Sequence, residues 1–362
     1  MQERERIPEP VARQEVSAPA KVVVGRRARR GYEGIRRFIA EQDWLEPVAN
    51  TAQGVVGRAM EAVGPSVTDF FHGTWLRHPL HVALSDVPVG AWTVAAAMDA
   101  LDLGRDRPQY AAGADAAVAM GVAAAVPTAL SGMADWRHVD GYPRRVGLLH
   151  AMLNSVGLLC QVASLAMRLR GRRRQGVACS ALGVLATVGA AWLGGELVEE
   201  QGIGVDHTAF RAGPGRFVPV MNEAGLPEGR LHRAQAAGVN VLLFRRDGRI
   251  YAIADTCAHQ GCSLSEGRLE DTTVICPCHG SQYRLEDGTL VHGPSTFDQP
   301  RYEVRIVDGR IEVRRAPMAG ELGRRRSSHR LAPTAPDRLA PTVLRSALSR
   351  YPTMRGAVNS VL

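Results

Sequence analysis

The strongest chemical signal in this chain comes from four side chains in two short stretches. Cys257-Ala-His259 is followed by sixteen residues and then by Cys276-Pro-Cys-His279, so each stretch offers one thiol and one imidazole in this spacing. Two thiolates and two imidazoles satisfy tetrahedral zinc. They equally suit a two-iron two-sulfur cluster in which two imidazoles replace two thiolates on one iron and raise the potential above that of an all-cysteine cluster. Residue types alone leave both open.

The flanking residues resemble those of the Rieske iron-sulfur proteins. That resemblance implies Cys257 and Cys276 on an inner iron, and His259 and His279 on an outer iron near the surface. Cys262 and Cys278 stand where Rieske proteins of quinol-oxidising complexes join the two loops by a disulfide. Ser281 and Tyr283, in the run HGSQY, match hydroxyls that donate hydrogen bonds to sulfur in that family. Such donors stabilise the reduced, more negative cluster. Gly293-Pro294 resembles the proline loop that covers the cluster, although Ser295 and Thr296 depart from its usual continuation.

A domain of this kind needs about a hundred residues, and the chain has 362, so something else fills its front half. The formal charge is +8, and Lys21 is the only lysine among 44 basic residues. The arginines lie in tails and short loops with few aromatics nearby, so no nucleic-acid partner is expected. Cys160 and Cys179 fall in apolar helical segments and read as small hydrophobes, not as a secreted-type disulfide framework.

Taken in order, residues 1–30 read as a disordered basic tail without a signal-peptide core. Residues 31–75 suit amphipathic helices on a membrane surface. Residues 76–205 carry four segments near the roughly 20 apolar residues that span a bilayer: Leu80 to Leu101, Ala111 to Ala134, Val146 to Met167 and Gln175 to Gly195. Small residues in them favour close helix packing. RHPLH, SGMADWRH, VGLLHAMLN and GVDH in this region resemble a family of predicted four-helix bacterial membrane proteins of uncharacterised function, which bacteria also fuse to Rieske domains. Together the two resemblances cover roughly residues 75 to 315.

Alternating spans gather His78, His81, Asp135, His138, His150 and Glu196 at one membrane face, with His207 in the linker beside it. Polar groups at membrane depth are costly and often functional. His81, Asp86 and His150 are therefore candidates for a quinone or haem site, against the plain reading of interfacial and helix-contact histidines. Orientation is contested by the charges. Arg105, Arg107, Arg168, Arg170 and Arg172 to Arg174 would place the opposite loops in the cytoplasm, whereas Arg137, Arg144, Arg145 and the basic tail argue the reverse. The tail is hard to translocate, which favours a cytoplasmic metal site; a structural disulfide favours the oxidising outside.

Residues 216–315 read as antiparallel β. Asp247-Gly248, Asp287-Gly288 and Asp308-Gly309 stand between short strand-like runs, a hairpin signal. Residues 316–362 read as an Arg/Pro-rich disordered tail with a short helix near 342–349. The fold expected is thus a four-helix transmembrane bundle followed by a small antiparallel β-sandwich. The function expected is a multi-pass, plasma-membrane electron carrier with a [2Fe-2S] cluster, a component of an oxidoreductase system and not a stand-alone enzyme, exchanging electrons with a quinone, a haem or a redox protein. A ferredoxin serving a separate oxygenase and a redox sensor are the alternatives. Only His292 and His329 follow His279, neither in a mononuclear-iron motif, and no nucleotide-binding glycine turn is visible.

Overall fold

The computed structural model describes residues 26–102, 108–211 and 213–317. Most of the expected N-terminal tail, and the C-terminal tail with its short helix, lie outside the described residues. Helices α1 (Arg26–Ala40), α2 (Leu45–Val63) and α3 (Pro65–His72) precede α4 (Leu80–Asp102), α5 (Pro108–Trp136), α6 (Gly141–Leu169) and α7 (Arg173–Gly195), which runs on through a π turn at Glu196–Glu200. Among the described residues, four helices are long and apolar enough to cross a membrane: Leu80–Asp102, Gln109–Trp136, Gly141–Leu169 and Arg173–Glu200.

These four pack mainly as two antiparallel pairs, α4 with α5 and α6 with α7. Small residues set the approach. A side chain at Gly183 would meet Cys160, Gln161 and the Gly157 carbonyl at 3.0 Å, and one at Gly157 would meet the Thr187 hydroxyl at 2.7 Å. Gln161 and Ser180 bond across the same seam at 2.9 Å. The last two helices run past the charge-free segments Val146 to Met167 and Gln175 to Gly195 read from the sequence, and the added residues matter. Arg168 of α6, buried, pairs with Asp99 of α4 and reaches Asp115 of α5 at 2.8 Å, while Arg173 of α7 reaches Asp99 at 2.9 Å and Asp115 at 2.6 Å. Asp99 and Asp115 are thus neutralised by arginines from the last two spans, as the burial of Asp99 requires.

Helices α1 to α3 are amphipathic in place. Ile39, Leu45 and Ala49 are buried against Val146, Leu148 and Leu193, whereas Phe38, Trp44, Val55, Phe70 and Trp75 face outward. Aromatic and aliphatic side chains beside the ends of spanning helices suit a membrane interface.

The second half is all antiparallel. Strands β1 (Val218–Asn222), β2 (Leu231–Ala236), β3 (Val239–Arg246), β4 (Arg249–Ala254), β5 (Arg268–Glu270), β6 (Thr273–Ile275), β7 (Gln282–Arg284), β8 (Leu290–His292), β9 (Tyr302–Val307) and β10 (Arg310–Arg315) form three sheets, ordered β1-β10-β9, β2-β3-β4 and β5-β6-β7-β8. The middle sheet is buried on both sides, which is why β3 reads VNVLLF without clean alternation. Val241 and Leu243 join a core with Ile311 and Val313; Leu242 and Phe244 join one with Val274, Tyr283 and both Cys257 and Cys276.

Two of the three Asp-Gly pairs close tight hairpins, with both residues at positive φ in Asp247-Gly248 and Asp308-Gly309. Asp287-Gly288 does not. Only Gly288 has positive φ there, in a wider loop whose Gly288 carbonyl accepts the Gln299 amide at 2.8 Å. Ala237-Gly238 supplies the unforeseen tight turn, between β2 and β3.

Candidate metal centre

The two stretches that each carry a cysteine and a histidine are loops of one design. In the first, after β4, the Cys257 amide donates to the Cys262 carbonyl at 2.8 Å and the Gly261 amide returns to the Cys257 carbonyl at 2.9 Å. In the second, between β6 and β7, the Cys276 amide donates to the Ser281 carbonyl at 2.8 Å and the Gly280 amide returns to the Cys276 carbonyl at 3.1 Å. Gly261 and Gly280 both have φ of 80°, a conformation that side-chain-bearing residues rarely adopt. Behind the first loop the buried Asp255 carboxylate accepts from the Ser263 hydroxyl at 2.7 Å and the Ser265 amide at 2.8 Å. A Cys262–Cys278 disulfide ties the loops together, its Cα atoms 6.5 Å apart, and the Cys276 sulfur lies within 4.8 Å of its sulfurs.

At the shared tip, Cys257 and Cys276 are free thiols, 1 % and 3 % exposed. The imidazoles of His259 and His279 meet edge-on with centroids 5.0 Å apart. Two free thiols and two imidazoles at one tip are the donor set that a [2Fe-2S] cluster of this kind would need. His259 Nδ1 is buried with no hydrogen-bond partner among the described residues, the state of a ring nitrogen reserved for a metal. The hydrogen bond from Cys257 holds the Cys276 thiol down to about 6, whereas the same contact together with burial pushes Cys257 up. Burial lowers His259 to about 3 and also lowers His279, so both rings are neutral and available as ligands.

Tyr283 is fully buried, and its hydroxyl lies 3.4 Å from Cys257 Sγ. Burial raises its pKa, which keeps the phenol protonated as a donor. Ser281 is also fully buried, but the bond recorded for its oxygen is an acceptance from the Ser295 amide at 3.0 Å, not a donation to sulfur. Pro294 is buried, so the loop that departs in sequence at Ser295 and Thr296 still packs over the tip, and its Ser295 holds Ser281.

Residues of the helical half complete the site, two of them, His72 and Asp69, not singled out by sequence reasoning. His138, in the turn between α5 and α6, sets its ring 6.1 Å from His259 and 5.8 Å from His279. His72, the last residue of α3 and 1 % exposed, packs 5.7 Å from His138 and donates from Nδ1 to Asp135 at 2.7 Å. Asp69 receives His292 Nδ1 at 2.5 Å and the Gly293 amide at 2.9 Å. Of the residues expected at one face, Asp135 and His138 meet through His72, Glu196 is held by Tyr32 at 2.5 Å, and His78 is exposed. Alternating spans put His138 at the correct end, but nothing in its neighbours signalled contact with residues more than a hundred positions away.

His81 and His150 face each other in the bundle with ring centroids 6.1 Å apart. Their Nδ1 atoms donate to the main-chain carbonyls of Thr128 at 2.9 Å and Ala190 at 2.8 Å. Gly132 and Gly194 make the room: added side chains would stand 2.6 Å and 3.1 Å from those rings. Asp86 is not brought to them. It is exposed on α4, because five residues along a helix turn it about 140° from His81.

Residues 216–303 match the model of the Rieske [2Fe-2S] domain, and residues 77–207 match that of a predicted membrane protein family (DUF2231). A curated relative is the 3-phenylpropionate/cinnamic acid dioxygenase ferredoxin subunit of Photorhabdus laumondii, 36% identical over 98 residues, which are 27% of this chain and 90% of that protein. The ferredoxin subunit of the same name from Escherichia coli K12 is 39% identical over 91 residues, 25% of this chain and 85% of that protein. Among solved structures, the ferredoxin of carbazole 1,9a-dioxygenase from Nocardioides aromaticivorans aligns at 23% identity and TM-score 0.26, covering 27% of this chain and 96% of that one.

Proposed function

Because the chain belongs to the Rieske [2Fe-2S] family through residues 216–303, we propose that it is a membrane-anchored one-electron carrier whose cluster is held by Cys257, Cys276, His259 and His279. The observation that carries this is the convergence of two buried free thiols and two imidazoles, one with an unpartnered buried Nδ1, at a single tip. When bound, such a cluster takes up and releases one electron at a time, at a potential that imidazole ligation raises.

The chain's own residues set the conditions for that exchange. Tyr283 presents a hydroxyl to Cys257, and the core of Leu242, Phe244, Leu264 and Leu285 excludes water from the inner thiols. The Cys262–Cys278 disulfide fixes the separation of the two loops. The four long apolar helices support anchoring in the bacterial plasma membrane, and the basic N-terminal tail supports a cytoplasmic tip.

The membrane-side electron donor in this reading is a quinol or a haem at His81 and His150. Support comes from the facing rings and their tethered Nδ1 atoms, which leave Nε2 of His81 for a ligand, while Nε2 of His150 accepts from the Asn154 amide at 3.0 Å, a bond that a ligand there would replace. A redox protein is the other partner. A second reading, a ferredoxin component of a separate oxygenase, is favoured by the names of the relatives.

Reduction of the purified full chain should give a rhombic electron-paramagnetic-resonance signal that His279→Ala abolishes. A preparation holding only zinc refutes the assignment. An optical haem band in membranes, lost in His150→Ala, would select haem over quinol as the donor. A midpoint potential near the low end of the Rieske range, about −150 mV, would promote the oxygenase-serving reading.

A further inference from the structure

The outer imidazoles of the proposed cluster site are half-buried, and it is the helical half that covers them. Three separate segments of the helical half close around them. The α5–α6 turn contributes His138, in ring contact with both His259 and His279, and the Gln260 side chain donates to the His138 carbonyl at 3.4 Å. Helix α3 contributes His72 behind His138, and Asp69, whose carboxylate takes both His292 and the Gly293 amide; Arg77, just beyond α3, pairs with Asp298. The stretch after α7 contributes His207, whose amide donates to the Ala258 carbonyl at 3.0 Å beside the first loop.

The fit is close at Gly293. A side chain there would stand 3.2 Å from His72 and 3.3 Å from Asp69 and Thr74, so those side chains would have to give by a few tenths of an ångström. The half-buried Asp69, Arg77, Gln260 and the His207 amide each pair across the seam, and that distinguishes a built interface from chance proximity.

We propose that this corner of the bundle is a built-in docking face for the cluster site. Electrons then enter or leave the outer imidazoles through the helical half of the same chain, past His138, and a diffusing protein is kept from that face. The proposal rests on the ligand assignment above and names the immediate partner, the chain's own bundle. The curated ferredoxin relatives are little longer than the matched segment, since 91 residues make up 85% of one of them, so they have no counterpart of this cover.

The test uses the full chain in lipid nanodiscs, wild type against Asp69→Ala/Arg77→Ala, with Asp69→Asn as the milder variant that keeps an acceptor for the Gly293 amide. After chemical reduction, excess ferricytochrome c is the probe. Each cluster gives one electron to one ferric haem, which becomes ferrous. Opening the seam should accelerate that oxidation at least about tenfold, equivalent to about 1.4 kcal/mol of lost closure. Asp69→Asn should fall between the two.

Hydrogen-deuterium exchange of the peptides containing Cys257 to Cys262 and Cys276 to Ser281 should accelerate in the same order, a readout that does not depend on electron flow. Equal rates and equal exchange in all three proteins overturn the proposal. So does a wild type whose loops exchange as fast as the opened double variant. Absence of any rhombic signal in the wild type overturns the ligand assignment beneath it, which separates the two failures.

Discussion

Replacing Tyr283 by Phe should lower the midpoint potential of the cluster without loss of the cluster itself. The phenol is fully buried, keeps its proton, and has its oxygen 3.4 Å from Cys257 Sγ. Phe fills the same space in the core of Phe244, Leu264 and Leu285, so the change removes the hydroxyl with its bond to Cys257 and its interactions with the Ser281 and Ser295 side chains, and of these only the first touches a sulfur. A hydrogen bond to a charged acceptor is worth about 1.5–3 kcal/mol. Reduction adds only part of an electron's charge to that sulfur, and if about a third of the bond depends on it, the reduced state loses about 0.5–1 kcal/mol more than the oxidised state.

At 59 mV per factor of ten, which is about 1.4 kcal/mol, the potential should drop by roughly 20–40 mV. Redox titration followed by electron paramagnetic resonance measures this directly. Tyr302→Phe, in the separate core with Ile311 and Val313, is the control and should leave the potential unchanged. A Tyr283→Phe potential that is unchanged, or that rises, refutes the argument that this hydroxyl donates to the inner sulfur.

Three further outcomes follow from packing. Arg168→Met should destabilise the bundle by about 3 kcal/mol, the low end for breaking a buried ion pair because Arg173 still reaches Asp99; thermal unfolding in detergent reads it, and adding Asp99→Leu should recover most of the loss. Cys262→Ser/Cys278→Ser opens a closed loop with a sequence separation of 16 and should cost about 3 kcal/mol, seen as earlier thermal loss of the cluster's visible absorbance. Gly132→Ala should cost about 1–3 kcal/mol and displace His81 from the Thr128 carbonyl, whereas Gly194→Ala, with more room before His150, should cost less. If His81 and His150 hold a haem, the first substitution should also remove its optical band.

Much of this protein is legible in its residue order alone. Ligand types and spacing are covalent facts, so Cys257, His259, Cys276 and His279 can be singled out directly, and resemblance extends that to Cys262 and Cys278. Four apolar runs announce four long helices because a bilayer's thickness sets their length. Two Asp-Gly pairs announce two hairpins because both residues tolerate positive φ; Asp287-Gly288 misleads, because backbone packing against Gln299 and not local turn chemistry decides its shape.

What only the tertiary structure decided are the contacts between distant segments. Arg168 lies beyond the edge of an apolar run, and only helix packing shows that it answers Asp99 and Asp115. Asp86 sits near His81 in sequence and is turned away by helical rotation. His72, Asp135 and His138 carry no motif that points to the metal loops, yet they lie against or behind the outer imidazoles, because sheet and bundle pack tip to corner. Local spacing specifies what a residue can bind; which other residues reach the same place depends on burial and shape summed over the whole fold, and no short stretch of sequence contains that sum.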